Sequence, residues 1–577
     1  MNPNQKLVLK PGNQRLRIVL TFSMTILMIF GARLFQLQAL DAPQLAATAA
    51  ENRTRTLLLP AQRGEITDKN GAPFAITVDA RDITVDQTMV IDPLGTAKAI
   101  AAITGIDENL LLPELSGQRK FNYVAKKITP EQWTKIKELK LPGIFSEKTS
   151  KRIYPGNTLA SNVIGFVGGE DKGLAGLEYG FENELAGSQG AVTVEISAAG
   201  RPLPSGIASE KKPIPGTGIR LTLDRDLQFV AEQALAARVE YAQADSGTLV
   251  AISPKTGKIL ALANYPTFDS NNPNDSENVS TVNHALVDAY EPGSTAKVIT
   301  LAGLLNENLA SPNTPFTIPP VLKRPGKTFH DHEPHGTLRL TLTGVLAKSS
   351  NIGTIQAAEI MGPEKFNEYL LKFGVGQKTG MQFPGESKGR LPKIEKWSKT
   401  SFPTFAFGQG YMVSAVQIAS MYATIANDGI RINPRLIEGY VLPNGDFQDA
   451  PEPERTEVIS AQAAKTLREM METVVSDEGT APLAEIPGYR VAGKTGTAQV
   501  VDPACKCYSK DVIASFIGMA PAENPEIVVA VAIHHPRNGR WGGLLAGPVF
   551  KEVAQYSLQK LNIPPSNGKP QGYPVEW

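Results

Sequence analysis

The sequence predicts an α+β protein carried on a single N-terminal membrane helix, and three observations lead there. Residues 18–32 form an uncharged, mostly apolar run close to the start. Apolar residues recur at helical spacing over 225–241, and two β-rich runs around the turn Pro254 to Gly257 follow. Three more strand-like runs, 489–500, 511–519 and 526–533, come only after a long interval. A sheet assembled from chain-distant strands, with helices between them, is the α+β pattern.

The apolar run 18–32 is shorter than the roughly 20 residues that cross a bilayer. Leu34, Phe35, Leu37 and Leu40 lengthen it if the Arg33 side chain reaches outward to the interface. Lys6, Lys10, Arg15 and Arg17 precede any acidic residue, which places the N-terminus in the cytoplasm and the bulk of the chain outside. The alternative is a cleaved signal peptide with Ala47-Thr48-Ala49 as its small-residue site, but that site lies far beyond the run. The expected order is a cytoplasmic tail (1–17), a transmembrane anchor (18–40), a mixed segment (41–215), an α+β domain (216–562) and a flexible tail (563–577).

The boundary near 215 rests on "A-S-E-K-K-P-I-P-G-T-G", 208 to 218, where charge, prolines and glycines interrupt the pattern. Pro548 opens the last helix, with Phe550, Val553, Ser557 and Leu561 on one stripe. The tail beyond Pro564 is rich in Pro and Gly and is expected to be loose. With 577 residues the chain is too long for one ordinary core. Its 58 basic and 57 acidic residues nearly cancel, so no nucleic-acid partner is expected. Only two cysteines, Cys505 and Cys507, exclude a disulfide-built scaffold.

Chemistry is concentrated in three short stretches. S-x-x-K occurs at Ser209, Ser294, Ser557 and Ser566, but only Ser294 follows a Pro-Gly turn and leads into a wholly apolar helix. Ser294 and Lys297, three apart on a helix, are expected to touch. A helix N-terminus there offers free N–H groups to an oxyanion, and a lysine beside apolar surface gives up its proton more easily. S-x-N occurs at Ser270, Ser276, Ser311 and Ser349, and only "L-A-K-S-S-N-I-G-T", 346 to 354, lies between apolar helical segments. K-T-G occurs at Lys255, Lys378 and Lys494, and only "V-A-G-K-T-G-T-A-Q-V-V", 491 to 501, runs on into a strand and carries a second hydroxyl, Thr497.

The surviving set, S-x-x-K, S-x-N and K-T-G-T in that order, is the set of penicillin-binding proteins and class A β-lactamases. The chain resembles class B penicillin-binding proteins of the division-specific FtsI type. "Q-R-G-E-I-T-D-K-N-G-A-P-F-A", 62 to 75, resembles a signature of their non-catalytic pedestal, and "W-G-G-L-L-A-G-P-V-F", 541 to 550, is also similar. The S-S-N-I-G wording is similar to division enzymes; elongation-specific relatives usually carry Ser-x-Asp.

The resemblance implies an elongated pedestal over 41–215 and a transpeptidase domain with an antiparallel five-stranded sheet flanked by helices. It implies a serine D,D-transpeptidase that cross-links peptidoglycan stem peptides and is blocked by β-lactams. Ser294 would be the nucleophile and Lys297 its base. Ser349 would relay a proton to the leaving amine, and Asn351 would hold the donor amide. Lys494, with Thr495 and Thr497, would bind the terminal carboxylate, and Gly496 would let the strand approach the substrate. The backbone N–H groups of Ser294 and Thr497 would form the oxyanion hole. No metal or organic cofactor is called for. The pedestal is expected to dock other division proteins, including a SEDS-type glycosyltransferase.

Several features pull elsewhere. "F-H-D-H-E-P-H-G", 329 to 336, invites a metal reading, but a surface or cleft loop is expected. Cys505 and Cys507 could meet His534 and His535 in a zinc site; a single-residue spacing favours plain thiols or a disulfide. A β-lactam hydrolase would need a glutamate-activated water, and Glu386 is the candidate. A sensor or scaffold is the reading from another class, and the short cytoplasmic part speaks against a sensor.

Overall fold

From Pro11 the chain is helical to Phe35 and continues through one wider turn, Gln36–Leu40. This computed structural model describes residues 11–196, 202–275, 279–502, 504, 505 and 507–577. Lys6, Lys10 and Ser276 lie outside those residues. Gln14–Leu40 has 27 residues, and its most apolar 18-residue stretch has a mean hydropathy of 2.0. At about 1.5 Å per residue it is about 40 Å long, enough to cross a hydrocarbon layer of roughly 30 Å. Its side chains, among them Ile18, Phe22, Leu27 and Phe30, are exposed. Arg33 turns its guanidinium to Gln36 Oε1 at 2.7 Å.

Two compact units divide the chain, residues 1–61 with 188–214 and residues 62–187 with 215–577. The first unit holds the apolar helix and a three-stranded antiparallel sheet, Thr54–Leu59, Gly190–Ile196 and Pro202–Lys211. The charged stretch from 208 to 211, expected as linker, therefore continues a strand. Ser209 and Glu210 pair with Thr193 and Val192, and the strand stops short of Pro213, which has no N–H to give a ladder.

In the second unit the strand Gly218–Leu221 shares a sheet with Ile66–Thr67 and Pro73–Val85, so the segment around residues 66–85 is built together with the chain beyond 215. A buried ionic cluster fixes this region. Glu178, fully buried, accepts hydrogen bonds from Arg63 Nε at 2.6 Å and Arg152 Nε at 2.7 Å. Arg63 Nη2 also donates to Glu182 at 2.7 Å. Each charge in the cluster has a partner, the condition under which such burial is tolerated.

The catalytic part starts with α1 (Arg225–Tyr241), capped by Asp224, whose carboxylate accepts from the N–H groups of Asp226 and Leu227. Strands β1 (Ser246–Ile252) and β2 (Ile259–Tyr265) form the expected hairpin. Helices α2 (Lys297–Asn306) and α3 (Asn351–Met361) follow. Then come β3 (Ala492–Asp502), β4 (Cys507–Ala520), β5 (Ile527–His534) and α4 (Gly547–Lys560). The five strands are antiparallel in the order β2-β1-β5-β4-β3. Residues 527–533 of β5 are all buried, which explains their unbroken apolar run. Helices α1 and α4 pack together on the sheet, and the wholly buried helix Ala415–Ala426 packs on β1 and β5. Strand β3 is left at an edge.

The tail departs from its expected looseness. Strand Leu338–Thr341 pairs with Pro315–Ile318 on one side only. Its other edge takes up the tail through Thr341 N–H to the Val575 carbonyl at 3.0 Å, and Val575 is buried. Trp577 Nε1 donates to the Phe316 carbonyl at 3.2 Å, and Tyr573 OH to Glu469 at 3.0 Å. Composition predicted a loose end, but an unpaired strand edge holds this segment through backbone groups that composition does not report.

Removing the Glu178 carboxylate leaves two buried guanidinium groups facing each other. Glu178→Ala is expected to lower unfolding stability by about 3–5 kcal/mol, read from urea unfolding; a midpoint equal to the parent's would contradict the buried cluster.

Candidate active site

Ser294 sits in a short 3₁₀ turn, Gly293–Ala296, that feeds directly into α2. The sequence placed Ser294 at the start of the helix; one tighter turn intervenes, and Gly293 makes it possible with φ +56°. Three contacts fix the turn. Gly293 N–H donates to the Gly408 carbonyl at 2.9 Å, Tyr422 OH to the Thr295 carbonyl at 2.7 Å, and Thr295 Oγ1 to the Pro292 carbonyl at 2.7 Å. Behind it α2 is buried from Lys297 to Leu305.

The second motif is a helix junction. Helix Leu342–Ala347 ends before Lys348, and Ser350 caps α3 by accepting from Gly353 N–H at 2.9 Å. Ser349, between them, has φ +57°, a left-handed conformation uncommon for a residue with a side chain. Lys297 Nζ donates to the Ser349 carbonyl at 2.5 Å and lies 3.4 Å from its Oγ. The buried amine thus places its hydrogen bonds on Ser349.

The third motif arrives on edge strand β3. Register sets Lys494 opposite Ile517, Gly496 opposite Ser515 and Thr497 opposite Ala514. Lys494 Nζ donates to Ser349 Oγ at 2.9 Å, so two amines from distant segments share one hydroxyl. Thr495 shares a hydrogen bond of 2.7 Å with Thr480, a residue no motif marked. A Cβ on Gly496 would stand 2.9 Å from Thr295 Cγ2 and 2.5 Å from Ser515 Oγ, so only glycine lets the strand lie against the turn that carries Ser294.

Burial sets the electrostatics. It pushes the Lys297 amine down to about 7, opposed by the Asp331 carboxylate. Lys494 is driven well below its usual value by burial first and by the Lys297 charge second. Two ammonium groups around one buried hydroxyl repel, so a neutral amine is available there at ordinary pH.

Two cavities meet at Ser294 and Thr497. The larger, about 750 Å³, is lined also by Ser349, Thr495, Leu340 and Trp541. The smaller, about 250 Å³, takes in Asn351, Gln409 and Gln499. All eight residues singled out by sequence therefore converge: Ser294, Ser349, Asn351, Thr495 and Thr497 on cavity walls, Lys297 and Lys494 on Ser349, and Gly496 against Thr295.

Loop 329–336 also lies at the cleft. His332 lines both cavities with Thr497; desolvation, and secondarily the Lys297 charge, hold it below its usual value. Among the described residues no group of three or more His, Cys, Asp or Glu is disposed to hold a metal. Cys505 and Cys507 are joined in a disulfide, while His534 packs on Tyr290 and His535 pairs with Asp245. Glu386 is buried and accepts from the N–H and hydroxyl of Thr379 at 2.6 and 2.5 Å. Its carboxylate serves a turn and lines neither cavity at Ser294.

Residues 247–555 match the penicillin binding protein transpeptidase domain, and residues 58–221 match the penicillin-binding protein dimerisation domain. Penicillin-binding protein PbpB of Mycobacterium tuberculosis is 35% identical, covering 95% of this chain and 85% of its own. Peptidoglycan D,D-transpeptidase FtsI of Buchnera aphidicola is 32% identical, covering 94% of each chain. Among solved structures, penicillin binding protein 3 of Mycobacterium tuberculosis complexed with aztreonam gives a TM-score of 0.72 at 32% identity, over 90% of this chain and 100% of that one.

Because Gly496 lies against Thr295, Gly496→Ala is expected to displace strand or turn and slow labelling by a fluorescent penicillin about 100-fold, with the protein still folded by circular dichroism. Labelling at the parent rate would show that the close approach is dispensable.

Proposed function

The chain belongs to the class B penicillin-binding proteins, and on that footing we propose that it is a division transpeptidase working through a serine acyl-enzyme during septal wall synthesis. Peptidoglycan D,D-transpeptidase activity comes with the family. The observation that carries the acyl-enzyme reading is the meeting of the Lys297 and Lys494 amines on Ser349, in the cleft that Ser294 lines.

In this mechanism the stem peptide's terminal carboxylate settles on Lys494, Thr495 and Thr497. The carboxylate restores the charge of Lys494, and repulsion across Ser349 then favours neutral Lys297. Ser294 Oγ attacks the penultimate D-alanine carbonyl and its proton passes to Lys297. The oxyanion is held by the N–H groups of Ser294 and Thr497. The peptide C–N bond breaks, Ser349 relays a proton to the departing D-alanine amine, and an acceptor amine then attacks the ester. Asn351 holds the donor's amide. β-Lactams acylate the same hydroxyl.

The apolar helix supports a single-pass anchor in the plasma membrane. Arg15 and Arg17 at its N-terminal end support a cytoplasmic N-terminus with the catalytic domain outside. A disulfide at Cys505–Cys507 suits that compartment. The division 1–17, 18–40, 41–215 and 216–562 is retained as tail, anchor, pedestal and transpeptidase domain. The pedestal, which contributes nothing to the two cavities, is assigned the docking of division proteins, including a SEDS-type glycosyltransferase.

Intact-protein mass spectrometry with penicillin tests the acyl-enzyme. The parent is expected to hold one lasting adduct and Ser294→Ala none; rapid turnover by the parent would point to a hydrolase. Below the Lys297 value the base is protonated and cannot take the serine proton. Acylation is therefore expected to rise with pH through a midpoint of about 7, falling about tenfold per unit below it. A flat profile would remove Lys297 from that role.

A further inference from the structure

Asp331, in the loop expected only to rim the cleft, is bound to the second motif by both carboxylate oxygens. Oδ1 accepts the Ile352 N–H at 2.9 Å, and Oδ2 accepts the Ser350 hydroxyl at 2.6 Å. His335 Nε2 lies 3.1 Å from the same Oδ2. The Asp331 side chain is only 9% exposed. Beside it, the Asn351 side-chain amide donates to the His330 carbonyl at 3.2 Å. The loop thus grips the first turn of α3 at Ser350, Asn351 and Ile352, the residues that follow Ser349.

Charge adds a second role. The groups that face the Lys297 amine are Asp331, His332 and Lys494. Burial drives the lysine's proton off, Lys494 and His332 carry no negative charge, and the Asp331 carboxylate opposes the loss. Facing Asp331 in turn are His335, His332 and Lys297. A general base works best near the operating pH, so a carboxylate that keeps a buried lysine from becoming too weak a base has a direct use.

We propose that Asp331 is a positioning residue for acyl transfer: it clamps Ser350 and the first turn of α3, keeps Ser349 within reach of both amines, and supplies the counter-charge that faces Lys297. The proposal rests on the acyl-enzyme reading and extends it to a residue outside the three motifs. Sequence offers no spacing signal for it, because 19 residues and a strand separate Asp331 from Ser350.

The test uses the full chain and a fluorescent penicillin, with acylation rates taken from about pH 5 to about pH 9 and melting followed by circular dichroism. Asp331→Asn is expected to lower the plateau rate about tenfold or more and to move the midpoint down by about one unit, since Lys297 loses its counter-charge. Asp331→Glu keeps the charge and is expected to keep the parental midpoint with a reduced plateau. Ser350→Ala removes one arm of the clamp and is expected to lower the plateau without moving the midpoint. A midpoint unmoved in Asp331→Asn, or moved alike in Asp331→Asn and Asp331→Glu, overturns the counter-charge. If Asp331→Asn fails to fold, Asp331→Glu and Ser350→Ala decide the clamp: parental plateaus in both overturn it. A parent that takes no label refutes the acyl-enzyme itself, a separate outcome.

Discussion

Lys297 and Lys494 are both wholly buried, and their amines meet at one hydroxyl, that of Ser349. An unpaired ammonium in such a place costs several kcal/mol, so the pair is under pressure to shed a proton. The remaining features serve this contact. Helix α2 brings one amine from a core of apolar side chains, edge strand β3 brings the other, and the junction before α3 presents the hydroxyl. None of the three segments reaches the hydroxyl without the sheet and helices that hold them.

The edge position of β3 has its own logic. A strand paired on both sides would leave no room for a substrate backbone, and a strand farther away would lose the turn that carries Ser294. Gly496 resolves the conflict by omitting a side chain where Thr295 comes close. The same economy recurs at Gly542, where an added Cβ would stand 2.0 Å from the Ser515 carbonyl oxygen and 2.5 Å from that of Gly496. Backbone packed on backbone keeps the strand from shifting when a ligand presses on it.

Much of this could be read from sequence, for physical reasons that differ by element. Strands β1, β2 and β5 and helix α1 were legible because burial writes itself as apolar spacing. The convergence of the eight candidate residues was legible because three weak motifs stood in order, each in the right local setting. What escaped was tertiary. The Lys297 amine places its hydrogen bonds on Ser349, which helical spacing does not reveal. The tail looked loose because Pro and Gly say nothing of a vacant strand edge elsewhere. Asp331 and Thr480 carry no motif and join the site only through the fold.

Ser349 occupies a backbone conformation that a side chain makes costly, on the order of 1 kcal/mol. Glycine would sit there at ease but without the hydroxyl on which the two amines converge. Selection for a sturdier chain and selection for turnover therefore pull this position in opposite directions. A hydroxyl at the meeting point of two buried amines is thus held at a backbone cost that glycine would avoid.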